Sequence, residues 1–309
     1  TTPHGMGSLD FKHAEMQEVL LEAARSEGVE VHRGSSARSV TPGQPASVNF
    51  SNDGETRKVT ARLVVGADGR ELKVRSWTGF DVQREPTYLF AASVLLQAST
   101  DLGNSVNYLA DPTTPRSAFI VPVAKDYFRS YLMFRHEAVG RQLSGEKDAP
   151  DFIKHCVALG APAEWFEDVQ IAGPLATFDG ASRWVERPYR DGVVLVGDAA
   201  SSSDPSWGNG LSMTLRDVRL LSEGLCGDKD WQRAASDYAV KQAMNASRLR
   251  QGETLLRDLL FEPGEAALKR RNHAMELLDD EPERDPDLFG LGPEALCDDT
   301  ARARFFGEV

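Results

Sequence analysis

Two apolar runs, LVVGADG at residues 63–69 and VVLVGDAA at 193–200, each lead into glycine and aspartate. Short aliphatic, β-branched runs of this kind read as buried strands. Glycine beside the carboxylate lets the backbone approach a ligand closely, at the carboxyl end of the strand. Asp68 and Asp198 therefore stand at the mouths of two strands, 130 residues apart in the chain. Such a pair grips an extended ligand at two points. Each member alone has a plainer explanation. Asp68-Gly69 is also a turn dipeptide, and Gly208-Asn209-Gly210 is also a glycine-rich helix start.

The second run continues as SSSDPSWGNGL and then a helical pattern, so a helix begins close to Gly208–Gly210. The first backbone N–H groups of a helix have no intrahelical acceptor, and its dipole is positive there. That end suits an anion or an electron-rich carbonyl.

Around these motifs the chain alternates in character. Residues 13–26 place Met16, Val19, Leu20, Ala23 and Ala24 on one helical stripe, and Gly28 follows as a stop. Segments 29–33, 37–41 and 46–50 read as strands, Asn52-Asp53-Gly54 as a hairpin turn, and 62–66 as a buried strand. From 84 to about 136 the pattern is a run of β-hairpins, with a short helix over 149–160. Long helical patterns cover 208–225 and 231–260, and the acidic stretch DDEPERDPD (279–287) reads as a solvated loop.

Charge narrows the partners. With 47 acidic and 35 basic residues the net charge is −12, which argues against a nucleic-acid partner. Cys156, Cys226 and Cys297 are widely spaced and odd in number, as expected of reduced thiols in a cytoplasmic protein. No apolar run approaches the roughly 18 residues of a membrane span. The N-terminus lacks the layout of a signal peptide. The six histidines show no metal-binding spacing, so no metal is expected.

The combination GADGxxxxVR (66–75) and GDAAxxxxPxxGxGL (197–211) resembles the group A flavin-dependent monooxygenases, the aromatic hydroxylases of the p-hydroxybenzoate hydroxylase fold. The flanks WVERPYRDGVVLVGDAA and GLSMTLRDVRLL are similar to that family too, and the likeness covers most of residues 10–230. It implies an α/β fold: a Rossmann-like FAD-binding domain, an antiparallel β-sheet substrate domain and C-terminal helices. The corresponding segments are 1–83 and 191–230 for FAD, 84–190 for substrate and 231–309 for the helical region. The resemblance places FAD against Asp68, Gly69, Gly197, Asp198, Pro205, Gly208, Asn209, Gly210 and Leu211. Asp198 would hold the ribityl hydroxyls, Pro205 would lie against the flavin ring, and the backbone at Gly208–Leu211 would face the pyrimidine edge. It further implies NAD(P)H as reductant, O2 addition at flavin C4a, and oxygen transfer to a small organic substrate, aromatic or polyketide-like. No catalytic acid or base is identified, and oligomeric state is left open.

Three departures from the family pattern stand out. Leu72 occupies a position that is usually serine, and Ser201 one that is often histidine. The opening βαβ unit with GxGxxG, which holds the ADP half of FAD, has no counterpart here, so the sequence reads as N-terminally truncated. Trp207 divides evenly between contact with the flavin or a substrate and ordinary packing. By the same resemblance, Phe90, Tyr108, Phe119, Tyr131 and Phe134 lie in the substrate-pocket segment, with most expected in the core. Arg216 and Asp217 are expected at the surface or in an ion pair. A halogenase or saturating reductase shares both motifs, although the halogenase signature WxWxIP is absent. The remaining alternative is a non-catalytic fragment that binds no FAD.

Overall fold

The computed structural model describes residues 4–309 except 6, 8, 10, 72, 101, 104 and 112, so the departure at Leu72 lies outside the described residues. The first element, α1 (His13–Ser26), ends as its sequence predicts. Gly28 adopts φ +83°, its N–H bonds Arg25 O, and the Val29 N–H reaches back to Ala24 O at 3.1 Å. That double closure is a Schellman motif, and it corrects the strand expected over 29–33. The Val29 amide is spent on the helix end, and no strand forms there. The apolar stripe of α1 is not buried either, with Val19 65% and Leu20 49% exposed.

Strands β1 (Ser36–Thr41), β2 (Ala46–Asn52) and β3 (Glu55–Ala61) form an antiparallel meander. Its tight turn is at Asp53-Gly54, both at positive φ, with Asn52 opposite Glu55. The strand expected over 62–66 shortens to β4 (Val64–Gly66), in which Val65 is 47% exposed and Gly66 is buried. Helix α2 (Lys73–Thr78) and β5 (Gln83–Arg84) follow.

The β-rich middle is one antiparallel sheet. It comprises β6 (Phe90–Gln97), β7 (Asn107–Asp111), β8 (Arg116–Ala124) and β9 (Tyr127–Phe134), in the order β6-β9-β8-β7. After α3 (His136–Val139) and α4 (Ala149–Ala158), β10 (Gln170–Ile171) and β11 (Ala176–Asp179) add to the free side of β6. Alternation splits the sheet's residues between two cores. Ala118, Ile120, Leu132 and Phe134 pack against Phe152 and Cys156 of α4. Ala91 and Met133, joined by Phe119 and Tyr131, face Trp207 and the C-terminal helices.

The chain then returns through β12 (Arg183–Trp184) and β13 (Tyr189–Arg190) to β14 (Val193–Leu195), whose three residues are fully buried as predicted. β15 (Ser201–Ser202) pairs with β12, which also pairs with β5. Helices α5 (Gly210–Gly227) and α6 (Trp231–Phe261) make an antiparallel hairpin whose turn is capped by the Asp230 carboxylate. α7 (Glu265–Asp280), α8 (Leu288–Leu291) and α9 (Asp299–Phe305) complete the helical end. The stretch 279–287 is only partly solvated. Asp287, 2% exposed, caps α8 through the Gly290 N–H and accepts from His4 on Oδ2. Among the described residues no helix is long and apolar enough to cross a membrane.

Candidate functional site

The two Gly-Asp strands are neighbours. β14 pairs with β4 in parallel, Val193 opposite Val64 and Leu195 opposite Gly66. The ladder runs to the edge of both motifs, since the Val196 N–H donates to Gly66 O at 3.0 Å. A Cβ on Gly66 would lie 2.7 Å from the Leu195 side chain and 2.9 Å from that of Val74. Glycine there permits the close packing of β4, β14 and α2. In consequence Asp68 and Asp198 leave the same end of one sheet, where open α/β sheets bind their ligands.

One further glycine sets the turn after β14. Gly197 has φ +59°, and a Cβ on it would meet Thr214 Oγ1 of α5 at 2.7 Å. Its N–H donates to Asp217 Oδ2 at 2.9 Å. Asp217 is 1% exposed, contrary to the surface role expected of it, while its neighbour Arg216 does form a surface ion pair with Glu294. Burial pushes the Asp217 carboxyl up to about 6, against the Gly197 N–H and the Tyr238 and Gln242 side chains that favour its charge. The signal was present in the spacing: Met213, Asp217 and Leu221 form the buried stripe of α5.

Around the two aspartates gather three arginines. Asp68 Oδ2 accepts the Val74 N–H at 3.0 Å at the start of α2. Arg75, 1% exposed, donates to Arg70 O at 3.0 Å. Burial lowers its guanidinium below the ordinary value, Asp68 and Asp198 oppose that, and Arg183 and Arg70 add to it. Burial raises the Asp198 carboxyl, opposed by Arg70 and Arg75. Arg70 also donates to Ala181 O at 3.2 Å, which ties the first motif to the segment leading into β12. Outside it, Arg70, Lys73, Ser76 and Trp77 line an open concavity of about 530 Å³.

The third component is the start of α5. Asp204 caps a single turn, Pro205–Trp207, by accepting the Ser206 N–H at 2.9 Å. Gly208 then turns the chain at φ +67° and is exposed. Asn209, at the N-cap position, makes no side-chain cap, and the first intrahelical bond is Met213 N–H to Asn209 O. The N–H groups of Gly210, Leu211 and Ser212 are left facing outward from the helix end. Gly210 lies beside Asp198, a Cβ on it falling 4.0 Å from Asp198 Oδ1. Trp207 is packed, 2% exposed, with edge contacts to Phe261 at 6.1 Å and Phe289 at 6.3 Å.

All nine expected site residues thus fall on three adjoining segments: the loop after β4, the turn after β14, and the start of α5. The segments also present unused polar capacity. Asp68 Oδ1, Arg75 Nε and Nη1, and Asn209 Nδ2 are buried without hydrogen-bond partners. Gly69, at φ +69°, and Gly208 have no atom within 4 Å of where a Cβ would stand. Orphaned donors and acceptors beside open glycine backbone leave space and hydrogen-bonding capacity for a polar ligand.

Comparison with known proteins agrees with this geometry. The family described as FAD binding domain matches residues 5–227. An uncharacterized aromatic compound monooxygenase, YhjG of Bacillus subtilis, is 28% identical over 224 residues, 69% of this chain and 42% of that protein. Digeranylgeranylglycerophospholipid reductase 1 of Methanococcoides burtonii is 28% identical over 168 residues, 53% of this chain and 39% of that one. The chain therefore spans about two fifths of the length of these curated relatives. Among solved structures, the flavin-dependent brominase Bmp2 superposes with a TM-score of 0.73 at 16% identity, covering 96% of this chain and 74% of that one.

Proposed function

The chain belongs to the FAD binding domain family, among the group A flavin-dependent monooxygenases, and from that premise we propose that it is an FAD-dependent monooxygenase-like oxidoreductase. One observation carries the reading. The parallel pairing of β4 with β14 sets Asp68 and Asp198 side by side, with the bare N-terminus of α5 next to Asp198.

In this reading Asp198 accepts hydrogen bonds from the ribityl hydroxyls, and its fixed place against Gly210 orients that chain. Asp68, Gly69 and Arg75 form the neighbouring wall, and Pro205 packs on the ring. The free N–H groups of Gly210 and Leu211 would face the pyrimidine edge and stabilise negative charge there without reorganising, while the Gly208 N–H is held by Pro205 O. FAD held there would supply the redox chemistry, with two electrons from NAD(P)H and O2 giving one oxygen atom to an organic substrate and the other to water. The substrate side is the sheet face carrying Tyr108, Phe119 and Tyr131, which with Trp207 excludes water. The segments 1–83 with 191–230, 84–190, and 231–309 are the corresponding functional units, working in the cytoplasm. The likeness to a reductase supports a second reading, in which the same flavin grip reduces a carbon–carbon double bond.

The test is a titration of the purified chain with FAD, followed by NAD(P)H and 18O2. Retained flavin absorbance is expected, with label entering the product. A bond to an ionised group contributes about 1.5–3 kcal/mol, so Asp198→Ala weakens FAD binding roughly 10–100-fold. Flavin binding with substrate reduction and no label selects the reductase reading. Protein that stays colourless after FAD addition overturns both.

A further inference from the structure

The two faces of the large antiparallel sheet are covered unequally. Along β9 the side chains of Phe128, Ser130, Leu132 and Phe134 are fully buried on the α4 side. Tyr127, Arg129 and Tyr131, which alternate with them, are only half-buried. Alternation puts these three on the opposite face, about 6.5 Å from one to the next. Directly paired residues of an antiparallel ladder share a face, so Phe119, opposite Tyr131, belongs to the same side. Tyr108, opposite Phe119, extends it, with the two rings 4.6 Å apart. The outcome is an aromatic floor that the C-terminal helices cover only in part.

Arg129 stands in this floor without a counter-charge. Its Nη1 donates to Ser93 Oγ at 3.2 Å. Ser93 is 6% exposed and pairs across the ladder with Tyr131, so the acceptor is fixed by the sheet itself. Among the described residues the guanidinium makes no ion pair. With 47 acidic residues in the chain, that is not for want of carboxylates. A guanidinium has five donors in a planar fork. Holding Nη1 on Ser93 leaves the Nε–Nη2 edge without a protein partner, and that edge takes two oxygens of a carboxylate or phosphate at once. A second cation borders the same strand. Lys12 Nζ lies 4.1 Å from the centre of the Tyr127 ring, and its one carboxylate neighbour, Glu15 at 3.5 Å, is exposed.

We propose that Arg129, aimed by Ser93 and bordered by Lys12, is an oxyanion-binding residue for a ligand whose flat body lies on Tyr131 and Phe119. The oxyanion is a carboxylate or a phosphate, and the ligand therefore carries negative charge beside an aromatic system. Two sources have that chemistry: an aromatic acid as substrate, and the phosphates of the flavin dinucleotide. The site itself stands on the sheet geometry, and the assignment of either source rests on the flavoenzyme reading above.

Calorimetric titration of the full chain with two matched pairs of probes tests this. One pair is anthraquinone-2-carboxylate and its methyl ester; the other is FAD and riboflavin. The wild type is expected to bind the acid about 10–100-fold more tightly than the ester. Arg129→Gln is expected to abolish that preference by weakening the acid alone, and Arg129→Lys to retain part of it. Lys12→Gln lowers it by a smaller factor. Unchanged ester affinity in each variant shows that the aromatic floor is intact. Where Arg129→Gln weakens FAD and not riboflavin, and the acid enjoys no preference, the oxyanion is the cofactor's phosphate. Equal weakening of acid and ester overturns the proposal, since Arg129 then only supports packing. So does a variant that binds all four probes as the wild type does, or a wild type that binds none. A chain that prefers the acid but takes up no FAD keeps the oxyanion site and overturns only the FAD reading.

Discussion

Asp217 Oδ2 accepts the Gly197 N–H at 2.9 Å, so the helix whose start borders the site also holds the turn that presents Asp198. The carboxyl is raised to about 6 by burial. Its folded value exceeds its unfolded value near 3.9, so its contribution to stability is greatest below pH 4 and is lost as pH rises to about 6. The size is roughly 3 kcal/mol. Asp217→Asn keeps an acceptor for Gly197 and removes the titration. The difference in unfolding free energy between wild type and Asp217→Asn is therefore expected to change by that amount between pH 4 and 7 in urea melts. Asp217→Leu leaves the Gly197 N–H orphaned and loses about 1–3 kcal/mol.

Gly197 and Gly208 share a left-handed backbone and differ in surroundings. At Gly197 an added methyl would meet Thr214, and at Gly208 it would meet nothing within 4 Å. Alanine in that conformation is unfavourable by about 1–2 kcal/mol at either position. Gly197→Ala adds overpacking of about 1–3 kcal/mol. Denaturant melts are expected to show the larger loss for Gly197→Ala. FAD titrations of Gly208→Ala should show binding weakened by more than its stability loss accounts for, since the methyl enters the space assigned to the ring edge.

Local signals in the sequence were strong where a single segment decides its own structure. The Asn52-Asp53-Gly54 turn, the Gly28 stop and the aliphatic run at 193–195 all appear where their chemistry places them. Failures came where tertiary partners decide. The alternation in 29–33 lost to the helix closure that takes the Val29 amide. The Val64–Gly66 strand is only as long as its partner β14 allows. The site was half legible. Both aspartates and the start of α5 were marked by glycine, and Asp217 was marked only by its i, i+4 spacing between Met213 and Leu221, which a charged residue masks. Arg183 comes near Arg75 through the pairing of β12 with both β5 and β15, contacts that no local pattern encodes, whereas Arg70 stands two residues after Asp68 in the first motif itself.

The aromatic residues of the large sheet separate by face, which distinguishes their roles. Phe134 is fully buried in the core on the α4 side, with its ring 6.0 Å from that of Phe90. Phe119 is half-buried on the opposite face, 4.6 Å from the Tyr108 ring. Phe134→Ala is expected to lose about 3–5 kcal/mol of stability, measured by denaturant melts. Phe119→Ala should lose less, about 1–2 kcal/mol, and should raise KM for substrate while leaving FAD affinity near wild type.

Arg75 is the buried cation that Asp68 and Asp198 both face, and its Nε and Nη1 have no partner in the protein. Removing one member of a buried charge cluster leaves the others uncompensated, at about 3–5 kcal/mol. Arg75→Met is therefore expected to lower the melting temperature sharply. Arg75→Lys retains the charge without the planar fork that reaches Arg70 O, and should lose less. Burial already raises Asp198, with Arg70 and Arg75 opposing it. Its titration therefore moves to higher pH in Arg75→Met and changes little in Arg75→Lys. Carbon-13 chemical shifts of the Asp198 carboxyl, followed against pH in the two variants, measure that displacement, and equal shifts in both would falsify the role of Arg75 as its counter-charge.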